Sequence, residues 1–359
     1  MSLLPRVVSP VGPVLLPGAA PREVCIVLLS GLGDVVHGLP LALDLKGLDP
    51  SIRVTWVAEP APAQILEHHP AVDRVVVYRS RDGLSGVRAL RRDMKGMRAD
   101  LTLNIQRYTK SVWPTLFSGA PVRVGLPPSK TREGVHLFST HVLEEGPWKH
   151  SQDLFLDFRW ALGVPRDAPV RWEITLSAEE EASSRAFFGG LDGRPVAALV
   201  VASANPKKDW PADRYATLAD ALDRDLGFQV LLLGGPSPRE RAVADEVSRR
   251  ATTGPTDALT GSVRTLMGRV RGAALVVAPD TGPLHIAHAM GVPVVGLFAH
   301  TNPWRVGPWR DFRDLVVDRY TEPGDEPDPA GYLPKDGRMG AITVDDVLEK
   351  VEVARWRYL

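Results

Sequence analysis

Between Val24 and Ser30 the chain reads VCIVLLS, a continuous apolar run with a glycine turn directly behind it. A strand wet on one face alternates apolar and polar residues. A strand without alternation is covered on both faces, as in a parallel sheet flanked by helices. The unit recurs along the chain. Strands are predicted at 53–58, 74–78, 101–104 and 122–125, the last as an edge strand, with helices at 34–48, 61–68, 84–97, 111–118 and 151–162. A second series places strands at 196–201, 229–233, 275–278 and 292–298, with helices at 212–225, 239–250, 263–271, 284–290 and 344–356. Such alternation predicts an α/β chain with parallel sheets. Its 359 residues suit two domains better than one long sheet. The pattern breaks around 163–175, where Pro165 and Pro169 fall, so the seam is expected there.

Composition removes several classes. Forty-three Lys and Arg balance 43 Asp and Glu, which leaves no basic surplus for a nucleic-acid partner. One cysteine, Cys25, excludes a disulfide framework or a Cys-rich metal site. No apolar stretch approaches the ~18 residues that cross a bilayer. The start, 1–21, is broken by Pro10, Pro13 and Pro17 and is expected to be a loose arm rather than a signal peptide.

In open parallel sheets ligands bind beyond the carboxyl ends of the strands. Four loops stand there. Ser30-Gly31-Leu32-Gly33-Asp34 follows the first strand; its glycines let the backbone approach a ligand. Asp34 suits a helix N-cap or a general base, and His37 one turn on suits a helix face or an acceptor contact. Val36 stands where a dinucleotide fingerprint needs its third glycine. Ser203 to Pro211 follows the second series' first strand and holds Lys207 and Lys208, two of only nine lysines. This is a polar loop, or a hydroxyl and a point charge for a diphosphate. Asp280-Thr281-Gly282-Pro283-Leu284-His285 opens a helix whose amides and dipole suit an anion. His300 to Arg305 is the fourth. His285, His288 and His300 lack the spacing and carboxylate of a zinc motif, so no metal site is expected.

These loops, in this order, resemble glycosyltransferase family 9, the ADP-heptose:lipopolysaccharide heptosyltransferases. The matching segments are SGLGDVVHGLP (30–40), NIQRYTKS (104–111), RVGLPPSKTREG (123–134), KKDWP (207–211) and PDTGPLHIAHAMGVPVVGLF (279–298). The resemblance implies a GT-B fold: two Rossmann-like domains facing across a cleft, an acceptor-binding domain over 1–168 and a nucleotide-sugar-binding domain over 169–359. The final helix has the option of packing back on the first domain. It implies inverting transfer of a heptose from ADP-heptose to a lipopolysaccharide inner-core or lipid A acceptor, with no metal and no cofactor. Asp34 would be the general base. Ser203, Lys208, Asp280, Thr281, Gly282 and His285 would hold the donor's diphosphate and sugar, and Glu240 its ribose. Gly31, Gly33, His37, Gln106, Lys110, Lys130 and Arg132 would meet the acceptor, with His150 beside them. The chain would then be cytoplasmic and peripheral at the inner membrane, where the arm and exposed aromatics near Trp304 and Trp309 would help docking. The chain departs from the family pattern at Ser203-Ala204, Gln106-Arg107 and 299–303, which leaves another sugar or acceptor open. Two readings of other classes compete. One is a nicotinamide-dependent oxidoreductase with Glu59 on the ribose, and the other a non-catalytic nucleotide-sugar binder.

Overall fold

The computed structural model describes residues 6–8, 21–165, 167–331 and 333–359. It divides into two compact units, Met1–Thr175 and Leu176–Leu359.

In chain order the first unit contains β1 (Arg6–Val8), β2 (Glu23–Val27), α1 (Leu32–Leu48), β3 (Arg53–Ala58), α2 (Pro60–Leu66), β4 (Arg74–Val77) and α3 (Gly83–Asp93). Next come β5 (Leu101–Asn104), α4 (Val112–Phe117), β6 (Val122–Gly125), β7 (His141–Leu143), α5 (Ser151–Leu156) and α6 (Phe158–Leu162). Seven strands, all parallel to their neighbours, pair in the order β1-β7-β6-β5-β2-β3-β4. Setting β1 aside, this is the 3-2-1-4-5-6 order of a doubly wound sheet. Val24 to Leu29 are buried, as the unbroken apolar run requires. One core cluster joins Cys25, Val27 and Leu29 to Val57, Val76, Leu90 and Met94, with Phe117 packed against it. Burial pushes the Cys25 thiol up to about 12.

Four expectations change. β6 is interior, because β7 and β1 lie beyond it. The single helix at 151–162 is two helices, joined at Asp157. Of the arm, Arg6–Val8 is a strand paired with β7, while 1–5 and 9–20 lie outside the described residues. The division falls at 175/176 rather than 168/169, and hydrogen bonds explain why. Arg159, fully buried, grips Asp44 with two nitrogens (2.7 and 3.0 Å) and donates to the carbonyls of Ala168 and Pro169. His69 Nε2 meets the Trp172 carbonyl at 2.8 Å, and Thr175 donates to the His68 carbonyl. The segment 168–175 is thereby tied to the first unit.

The second unit contains α7 (Ala178–Gly189), β8 (Val196–Val200), α8 (Ala212–Arg224), β9 (Gln229–Leu233), α9 (Pro238–Arg250), β10 (Thr256–Asp257), α10 (Val263–Gly272), β11 (Leu275–Pro279), α11 (Gly282–Ala289), β12 (Val294–Phe298), α12 (Pro303–Val306), β13 (Val316–Asp318) and α13 (Val344–Arg357). Its six parallel strands run β10-β9-β8-β11-β12-β13, again 3-2-1-4-5-6. α7 opens on a reciprocal cap between Ser177 and Glu180. α13 packs on α8, β12 and β13 of its own unit, where the sequence had left the first domain open.

Candidate active site

A doubly wound sheet reverses its strand order once, and the crevice at that reversal is where ligands bind. In the first unit the reversal lies between β2 and β5; in the second, between β8 and β11. Most sequence-predicted residues stand in the loops that leave these four strands.

In the first unit, β2 runs into Gly31, the N-cap of α1, at φ 84°. A Cβ there would lie 2.5 Å from Asp34 Oδ2, so glycine is required by both its backbone and its neighbour. Gly33 occupies the helix's second position. Asp34 is not the cap: it sits in the first turn, half-buried, with its carboxylate folded back over Gly31. Gln106, buried just after β5, reaches across the reversal. Its Oε1 accepts from Leu29 N at 2.9 Å and Ser30 N at 3.4 Å, which fixes the start of the turn. Lys110 Nζ donates to Ser30 Oγ and, at 3.1 Å, to Glu59 Oε1, which also accepts from Ser80 Oγ at 2.6 Å. The Glu59 carboxylate is thus held beside the first-unit turn by Lys110 and Ser80. The sequence reading missed Ser80 and gave Glu59 only a role on ribose.

Three residues expected at the acceptor are buried and make packing contacts. His37 is buried; its Nδ1 lies 2.9 Å from Gln152 Oε1, and Gln152 Nε2 donates to the His37 carbonyl at 2.7 Å, locking α5 to α1. His150 caps α5, its Nδ1 accepting from Gln152 N. Lys130, 3% exposed, lies 4.0 Å from the centre of the Trp148 ring, which Arg107 covers at 5.0 Å. These are cation–π contacts. Arg107 Nε also donates to the Lys130 carbonyl at 2.7 Å. Arg132 alone of this group is exposed. Arg107 and Trp148 carried no signal in the sequence, because forty residues separate them along the chain.

In the second unit, Lys208 Nζ lies 2.6 Å from Asp280 Oδ2 and 3.3 Å from the Asp280 carbonyl. His285 Nε2 stands 3.5 Å from Asp280 Oδ1. Burial alone would raise the Asp280 carboxyl. The Lys208 charge, with His285 behind it, outweighs burial and holds it well below the usual carboxylate range. The triad spans the strand reversal, since Lys208 follows β8 while Asp280 and His285 follow β11. Thr281 is the N-cap of α11 and Gly282 its first residue; the Thr281 hydroxyl donates to the Pro279 carbonyl at 3.1 Å. Ser203 is buried and its hydroxyl serves the loop, donating to Asn205 O at 2.6 Å and lying 2.9 Å from Asp209 Oδ1. Arg239, unforeseen, clamps that loop through Asp209 and the Ser203 carbonyl. Glu240 accepts from Gly235 N at 2.9 Å and from Ser237 Oγ at 2.5 Å, so it is fixed at the end of β9 by the start of α9.

Lys207 is exposed and pairs with Asp336. His288 Nε2 meets the Trp309 carbonyl at 2.8 Å, and His300 Nδ1 meets the Lys335 carbonyl at 3.2 Å. Burial holds His288 down to about 4. Trp309 is 5% exposed, contrary to its expected surface position.

Residues 87–324 match the model of glycosyltransferase family 9 (heptosyltransferase). The chain belongs to this family. As a glycosyltransferase it is similar to the lipopolysaccharide core heptosyltransferase OpsX of Haemophilus influenzae, 28% identical over 84% of this chain and 86% of the relative. It is 30% identical to lipopolysaccharide heptosyltransferase 1 of Pseudomonas aeruginosa, over 79% and 81% respectively. Among solved structures, a family 9 glycosyltransferase from Veillonella parvula superposes with TM-score 0.77 at 24% identity, covering 92% of this chain and 96% of that one. The Escherichia coli heptosyltransferase WaaC with ADP gives 0.73 at 22% identity, over 92% and 99%. The fold is GT-B, with two Rossmann-like parallel sheets. Family 9 membership also sets aside the oxidoreductase reading.

Proposed function

We propose that this glycosyltransferase moves a heptose from ADP-heptose to an anionic lipopolysaccharide inner-core or lipid A acceptor, with inversion at the anomeric carbon. The carrying observation is the contrast between the two strand reversals. One offers a carboxylate in a glycine-bounded helix turn; the other offers a part-buried Lys–Asp–His cluster beside a helix N-terminus. The names of the relatives support heptose and lipopolysaccharide, and the bacterial enzyme solved with ADP supports the nucleotide.

The chemistry then follows in one displacement. Asp34 takes the proton of an acceptor hydroxyl as that oxygen bonds to the anomeric carbon, and the bond from this carbon to the diphosphate oxygen breaks. ADP departs with the electron pair. Lys208 and the α11 amides near Thr281 and Gly282 stabilise the charge on the leaving group. Asp280, kept ionised, aims Lys208 and His285 at the donor, and Glu240 accepts from the ribose hydroxyls. Ser203 shapes the phosphate loop rather than supplying its hydroxyl. On the acceptor side Gly31 and Gly33 admit the hydroxyl to the turn, Gln106 and Lys110 hold that turn, and Arg132 meets acidic groups of the acceptor. His37 and Lys130 act through packing. No cofactor enters the scheme, and the enzyme works at the cytoplasmic face of the inner membrane.

A binding screen of ADP-, UDP- and GDP-sugars tests the donor. ADP-heptose should bind best and be consumed with a lipid A-type acceptor. Preference for a uridine or guanosine donor would overturn the assignment.

A further inference from the structure

The first unit carries a surface that the transfer chemistry does not use. Trp113 and Leu116 in α4 lie three residues apart, hence on one helix face, and are 43% and 40% exposed. The 3-10 turn Val135–Phe138 packs against α4 and exposes Leu137 and Phe138, while Tyr108 is exposed just ahead of α4. Beside α4 runs α3. Its inward residues Leu90 and Met94 join the core cluster against which Phe117 of α4 also packs. Both helices therefore cover the same side of the sheet and turn their other faces outward. On α3 that outward face carries Leu84, Arg88, Arg91 and, just past the helix, Lys95, at spacings of three and four, with Arg92 adjoining.

The charge is concentrated. Residues 79–98 hold seven Lys or Arg and two Asp, a net +5 in a chain whose total is zero. Apolar side chains bordered by a basic stripe fit an anionic bilayer, where rings and aliphatic groups enter the headgroup boundary and Arg and Lys meet phosphates. The surface also adjoins the acceptor turn. Lys110, which bonds Ser30, lies between Tyr108 and Trp113 in the chain.

We propose that Tyr108, Trp113, Leu116, Leu137 and Phe138, with the basic stripe of α3, dock this enzyme on an anionic lipid bilayer. The inference rests on the reading of the acceptor as a membrane lipid. It moves the docking aromatics from Trp304 and Trp309 to the first unit.

The test is co-sedimentation of the full chain with vesicles of phosphatidylethanolamine and phosphatidylglycerol, against vesicles of phosphatidylcholine alone. Binding should favour the anionic vesicles and fall as salt rises. R91Q/R92Q should lower partition about 25-fold, since each basic residue near such a surface adds roughly a fivefold factor, and W113Q/L116Q should separately lower it by removing apolar groups from the headgroup boundary. Arg91 and Arg92 are exposed, so R91Q/R92Q should keep wild-type melting temperature and ADP affinity; Trp113 also packs on Phe117, so for W113Q/L116Q the control is unchanged ADP affinity. Transfer to a vesicle-embedded acceptor should fall in both variants, and transfer to a delipidated, water-soluble acceptor should not. Unchanged vesicle partition in both variants overturns the proposal. A change in self-association with unchanged partition also overturns it, and assigns the surface to contact between copies. Vesicle binding is measured without substrate. Failure to transfer heptose would therefore overturn the functional reading while the docking result stood.

Discussion

The two units share a strand order and a place for ligands, yet the residues at that place do opposite things. The first unit puts a half-buried carboxylate over a left-handed glycine and braces the turn with Gln106 and Lys110. The second buries its carboxylate, Asp280, against Lys208 and His285, so the acid's role is to hold a cation. Net charge follows a similar division: the first unit has 21 basic and 17 acidic residues, the second 22 and 26. Topology thus sets which loops leave the strand reversal, and loop residues decide whether a carboxylate there is left half-buried or clamped by a cation.

Asp34→Ala breaks the proposed proton-handling side. The turnover number should fall about 10²- to 10⁴-fold, the range for losing a general base, with ADP affinity unchanged by calorimetry. Near wild-type turnover would remove Asp34 from that role. Lys208→Ala breaks the other side. It strands a buried carboxylate, so the chain should lose about 2 kcal/mol of stability, a figure reduced for Lys208's partial exposure, and ADP affinity should drop with it. Adding Asp280→Asn should restore stability in a denaturant titration but not ADP binding. A double variant that binds ADP normally would place the anion site elsewhere.

His288 sharpens the contrast through pH. Its ordinary value of 6.5 is lowered to about 4, chiefly by burial, so the unfolded chain binds this proton more readily than the folded one. The stabilising contribution is present above 6.5 and is lost as pH falls toward 4, amounting to about 3 kcal/mol if the full shift is realised. Melting curves should show this loss, and His288→Gln should flatten it; an unchanged slope would exclude His288 as its source. The smallest effect is expected for Gly31→Ala. The positive φ should cost about 1 kcal/mol, and the new methyl group would push the Asp34 carboxylate aside. Turnover should fall more than stability does, and equal losses would reduce the glycine to a purely structural role.

Which parts the sequence disclosed follows from range. The apolar runs at 24–29, 196–200 and 275–279 are local signals, and each proved to be a central strand. Asp34, Lys208 and Asp280 could be singled out as candidates because they stand in the loops that leave such runs. The burial of His37 and Lys130 was not legible because burial is a property of the packed chain; nothing near them announces Gln152 or Trp148. The short strand β7 and the clamp from Arg239 to the Ser203 loop were silent for the same reason: their partners lie far along the chain. The domain division shifted because Arg159 reaches two carbonyls that a reading of Pro and Gly punctuation cannot see.

Cys25 has a practical consequence. It is the chain's sole cysteine, fully enclosed in β2, with a thiol that stays protonated at neutral pH. Maleimides and iodoacetamides attack thiolates, so the native sequence should give almost no labelling background. A cysteine introduced at an exposed position such as Leu84 or Trp356 would be the sole reactive one. Spectroscopic probes could then be placed on either unit without first engineering a cysteine-free parent.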